Sequence, residues 1–138
     1  MINFNSPNKK SGDDFEKDVL VHLKENNCTD IQTNVTMKDL GIEVDICYKK
    51  DKRHIFAECK GGKDGAERTD NVKKAVASAP LIKKKYPNSK FILFFSKQPK
   101  KNSASYNMIK HYIESGYVDD VVYLNPSINK TSSLESFL

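Results

Sequence analysis

Between Gly41 and Gly62 the chain reads GIEVDICYKKDKRHIFAECKGG, and no other stretch restricts the possible folds as much. Ile42, Val44, Ile46 and Tyr48 alternate with Glu43, Asp45 and Cys47, the period of two expected of a half-buried strand. Residues 49–53 form a charged break suited to a short hairpin loop. In the run that follows, Ile55, Ala57 and Cys59 face one way and Phe56, Glu58 and Lys60 the other. The hairpin then carries Asp45 across to Glu58 and Lys60. Two carboxylates and an ammonium at the end of two packed strands are costly unless compensated. A divalent cation between the carboxylates would compensate them.

Asp45, a hairpin, and then Glu58-Cys59-Lys60 resembles the D-(x)n-E-x-K signature of the PD-(D/E)xK nuclease superfamily, with Val44 where the name-giving proline would stand. The resemblance implies a metal-dependent DNA endonuclease of restriction-endonuclease-like fold. It implies Asp45 and Glu58 as metal ligands, joined by the main-chain carbonyl of Cys59. Lys60 would orient or deprotonate the attacking water, or stabilise the transition state. Hard oxygen ligands suit Mg²⁺, with Mn²⁺ able to substitute. A glutamate on the first helix often reaches the metal site in this superfamily, and Glu16 matches that element. Its role would be to bind a second metal or position the water; the plain alternative is an acid that stabilises its helix. Two rival functions stay open: a Holliday junction resolvase, and a nucleic-acid-binding module of the same fold without turnover. The second would be marked by a missing carboxylate or lysine, and none of the three is missing.

Charge is unevenly distributed along the 138 residues. Residues 49–101 hold 16 of the 23 Lys and Arg but only 5 of the 18 acids. Such a basic segment suits a polyanion such as DNA, although lysines also simply solvate a small protein. Lys63, Arg68, Lys73 and Lys74 are the candidate phosphate contacts, since the segment after the hairpin begins near the sheet end that carries Lys60. The three cysteines lack CxxC spacing and read as buried free thiols, and the N-terminal stretch has no apolar h-region. A cytoplasmic protein without a membrane span is expected. His22, His54 and His111 show no zinc spacing, and GGKDG lacks the Gly-Lys-Ser/Thr ending of a phosphate loop.

In order, residues 1–10 read as a loose arm, and Ser11 as the cap of a helix with Asp13 and Asp14 in its first turn. Phe15, Val19 and Leu23 form its apolar stripe. Residues 30–36 alternate as a first strand before the hairpin. After it, residues 61–70 read as a flexible charged crossover. A helix follows over 71–86, with Tyr86 in its stripe and a kink or break at Pro80. KFILFFS at 90–96 is a strand buried on both faces. Residues 103–115 form a helix stopped by Gly116, and 117–124 the last strand. The expected architecture is α/β, a central mixed five-stranded sheet flanked by helices, in one nuclease domain over 11–124 with a tail at 125–138. Cleaving both strands of a duplex with so small a unit points to a homodimer.

Overall fold

The hairpin forms around a two-residue turn, Asp51–Lys52, in which both residues have positive φ (52° and 66°). This is the turn twist that matches right-handed strands. It joins β2 (Ile42–Lys50) to β3 (Arg53–Lys60), with Lys50 opposite Arg53. The computed structural model describes residues 7–125 and 130–132, with side chains over 14–124. Helix α1 (Pro7–Glu25) and strand β1 (Thr29–Met37) precede the hairpin. After a 3-10 turn (Gly65–Glu67) come α2 (Thr69–Val76), α3 (Ala79–Lys85), β4 (Lys90–Phe95), α4 (Ala104–Glu114), β5 (Asp120–Asn125) and β6 (Lys130–Ser132).

The strands lie in sequential order in one mixed sheet. Hairpins join β1, β2 and β3 antiparallel, whereas the helical crossovers make β3, β4 and β5 parallel. To the five expected strands the structure adds a short sixth, antiparallel to β5. Part of the expected tail at 125–138 thus extends the sheet; residues 126–129 and 133–138 lie outside the described ones.

Helix α1 covers one face through Phe15, Val19 and Leu23, packed on Ile46, Tyr48, Ile55, Ala57 and Phe94. The other face carries Phe56, Phe91, Leu93 and Phe95 beneath Val72, Val76, Ile82 and Ile109 of α2, α3 and α4. Phe91, Phe94 and Phe95 are at most 2% exposed, so β4 is buried on both faces as its composition requires. Each fully buried side chain of this kind contributes about 1.5–3 kcal/mol. An exposed pair such as Lys49–Asp30 contributes at most about 1 kcal/mol, so the core decides the fold.

Several expectations need correction. Helix α1 begins at Pro7, not after Ser11, so four residues of the expected arm are helical and Asp13 and Asp14 sit beyond the first turn. Proline suits a first helical position because its missing N–H is one the helix leaves unbonded there. The 71–86 helix breaks ahead of Pro80 into α2 and α3, as expected, but Tyr86 caps α3 and remains 39% exposed instead of joining the apolar stripe. The last strand starts at Asp120, because Asp119 is engaged with Phe91 through main-chain and side-chain bonds. The crossover after β3 is tied down rather than flexible. Ser96 donates from its N–H to Lys60 O and from its hydroxyl to Gly62 O, and Ala66 N–H donates to Lys97 O. Cys28 is buried, while Cys47 and Cys59 are only partly so, and all three are free thiols. Among the described residues no helix is long and apolar enough to cross a membrane.

Candidate active site

The β2–β3 ladder runs from Lys50 opposite Arg53 to Ile46 opposite Ala57 and ends there. Strand β2 keeps its register with β1 as far as Ile42, so β1 and β2 coil away from β3 together. Ile46 and Tyr48 consequently pack beneath α1, while Ile42 and Val44 join the opposite layer. The single apolar face expected for β2 changes sides at Asp45.

Asp45 fills the gap that the parting strands create. Its Oδ2 accepts the Cys59 N–H at 2.8 Å, replacing a main-chain bond that the ladder no longer supplies. Glu58, the residue before, is 7% exposed and hydrogen-bonded to the side chain and backbone of Asp45. Burial pushes the Glu58 carboxyl up to about 9, helped by the bond to the Asp45 carboxyl and by its charge. The opposing pull of Lys60 and of the Asp45 backbone is smaller. Two carboxyl groups in contact cannot both ionise cheaply, so without a cation Glu58 keeps its proton.

A polar cleft of about 360 Å³ opens beside the pair, lined by Glu16, Asp45, Lys60, Lys63, Arg68 and Asn71 among others. Glu58, buried, is not among the residues that line it. Glu16 reaches the cleft because α1 comes very close to the end of β3. A Cβ on Gly61 would meet the Phe15 Cβ at 2.4 Å, so only glycine admits this approach. Cys59 contributes main chain: burial raises its thiol well above the ordinary value, which leaves the sulfur a poor ligand or nucleophile.

The structure thus gathers Glu16, Asp45, Glu58, Cys59 and Lys60 at one end of the sheet, with Lys63 and Arg68 on the rim. Lys73 and Lys74 are exposed on α2 and do not line the cleft. Asn71 is a cleft residue that the sequence pattern does not single out. Its side-chain amide donates to Gly65 O at 2.9 Å, fastening the crossover to the start of α2. A polar residue opening the helix after the crossover is the available signal. A larger cleft of about 690 Å³ lies at the opposite end of β3, but it holds no carboxylate pair, so size does not locate the chemistry.

Among the described residues no three His, Cys, Asp or Glu side chains converge as a metal cage. The pair nevertheless fits Mg²⁺, which keeps several waters and needs only one or two protein carboxylates beside a phosphate. A cation there would also offset the desolvation that keeps Glu58 protonated. No family model matches the chain, and neither a curated protein nor a solved structure is detectably similar to it.

Proposed function

We propose that this chain is a Mg²⁺-dependent DNA endonuclease, and that its sheet is a restriction-endonuclease-like core. The observation that carries this reading is the Asp45–Glu58 carboxyl pair where two strands part, Glu58 buried and Asp45 lining a basic-rimmed cleft beside Lys60. A purely structural ion pair would not require a buried acid to touch another acid. Phosphodiester hydrolysis does require closely set oxygen donors and a cationic group beside them.

In this mechanism Asp45 and Glu58 would hold the cation, with the Cys59 carbonyl as a further oxygen. When bound, Mg²⁺ supplies Lewis-acid stabilisation of the phosphate charge. The Cys59 N–H holds Asp45 in place, so its carboxylate loses little freedom on binding. Lys60 orients the attacking water or meets the charge that develops on the phosphoryl oxygens. Glu16, across the cleft on α1, positions the water by hydrogen bonding. Lys63 and Arg68 hold neighbouring phosphates on the rim.

Supercoiled plasmid incubated with Mg²⁺, with EDTA, and with Asp45→Asn or Glu58→Gln protein tests the assignment. Nicking or linearisation is expected only for the wild-type chain with Mg²⁺. If either variant cuts at the wild-type rate, the assigned site is wrong. The ratio of nicked to linear product also reports whether two copies act together, as expected of a homodimer.

A further inference from the structure

Phe56 lies two residues before Glu58 on the same face of β3, opposite Phe91 of β4 where Glu58 is opposite Leu93. At about 3.3 Å per residue, it stands roughly 7 Å from the carboxyl pair along the strand. Phe56 is also the floor of the large cleft at the far end of β3. That cleft, about 690 Å³, continues into another of about 620 Å³ running along β1, and both share Phe56, Lys85 and Tyr86. Strand β1 remains largely exposed beside them. The result is a long open groove over the far half of β3 and along β1, with Phe56 as its residue nearest the carboxyl pair along β3.

The lining chemistry selects an occupant. Lys52, Arg53, His54 and Lys85 are exposed along the groove. Against them stand Asp51 and Asp39, the latter already paired with Lys85. Within the groove Tyr86 stacks on Phe56, with ring centroids 5.5 Å apart and planes at 23°, and remains 39% exposed. Lys85 Nζ lies 5.4 Å from the Tyr86 ring centroid. Because Lys85 and Asp39 are both solvent-exposed, their pairing is weak and yields to a phosphate. Cations flanking a supported, half-open aromatic ring match a nucleic-acid strand with unpaired bases, in which backbone and base faces are presented together.

We infer that this groove is a subsite for unpaired DNA some way along the strand from the cleavage point, with Tyr86 as its stacking platform. The inference rests on the nuclease reading and narrows it. The substrate class is then DNA with a single-stranded segment, such as a flap or splayed junction, rather than uninterrupted duplex.

Binding in EDTA, where no cleavage occurs, isolates the subsite. Anisotropy of a fluorescein-labelled twelve-nucleotide deoxythymidine strand should show Tyr86→Ala weakened about tenfold, within the range for losing one stacked base. Tyr86→Phe should restore affinity, since it keeps the ring. Lys52→Gln with Arg53→Gln, both on exposed side chains, should weaken binding and flatten the log–log salt slope by about 0.7 per lost contact. A twelve-base-pair duplex should bind these variants within about twofold of wild type. Wild-type affinity for the single strand in Tyr86→Ala, or equal losses on duplex and single strand, would overturn the subsite. So would failure of Tyr86→Phe to exceed Tyr86→Ala, or an unchanged affinity in the Lys52 and Arg53 variant. Plasmid cleavage in Mg²⁺ is read separately. Groove-dependent binding without cutting removes the nuclease reading alone, and cutting with an inert groove removes only the subsite.

Discussion

Glu58 and Lys60 sit two residues apart, yet the structure asks different things of them. In metal-free protein Glu58 holds its proton to about pH 9, whereas an ordinary glutamate ionises near 4.5. Its contribution to stability is therefore complete below about pH 4.5 and is lost as pH rises through about 9. Thermal or urea unfolding in EDTA should show that decline, and Glu58→Gln, which cannot ionise, should show a shallower one. Superimposable pH curves for the two proteins would sink the assignment. Lys60 faces a test of chemistry. Lys60→Met keeps most of the stem packing. If the ammonium acts on the water or the developing charge, the variant should bind Mg²⁺ normally by calorimetry yet lose at least about a hundredfold in kcat. Near-normal turnover with intact metal binding would return Lys60 to a neutralising role.

At the scale of elements, Gly61 couples α1 to the β2–β3 hairpin. Adding a Cβ there drives it into the Phe15 side chain, so α1 must retreat and carry Glu16 with it. Gly61→Ala should cost about 1–3 kcal/mol in urea unfolding, as overpacking does, and should also lower kcat. An unchanged midpoint would mean the contact relaxes freely. By contrast, Lys52 occupies a left-handed turn position that suits glycine, so Lys52→Gly should stabilise by about 1 kcal/mol. A lowered unfolding midpoint would contradict that reading of the turn. These elements also show what a sequence can tell. The hairpin is legible because two apolar runs that alternate with period two, split by a short charged turn, fit paired strands and little else. The double burial of β4 is legible from its unbroken apolar run. The start of α1 is hidden, because PNKKSGD carries no apolar stripe. The capping of Cys59 N–H by Asp45 depends on where two strands part, and the anchoring of the crossover depends on Ser96 and Lys97 more than thirty positions away. Tyr86 reads as core from its helical spacing, but α3 ends at Lys85 and leaves the ring half outside.

Across the whole molecule, the concentration of base in residues 49–101 acquires a direction. Lys63 and Arg68 stand on the rim of the cleft, and Lys73 and Lys74 are exposed on α2 beyond it. A helix turns about 100° per residue, so Lys74 lies about 60° around α2 from the cleft-lining Asn71, and Lys73 about 160°. Lys74 therefore extends the rim, while Lys73 points elsewhere. Duplex binding should weaken with salt through counterion release, each phosphate contact adding about 0.9 to the log–log slope. Arg68→Gln and Lys74→Gln should each flatten that slope by about one unit, and Lys73→Gln should leave it unchanged. Titrations in EDTA at several salt concentrations decide between this pattern and general attraction. Equal small effects from Lys73 and Lys74 would mean that the surface acts as diffuse charge, with no phosphate track leading from the cleft.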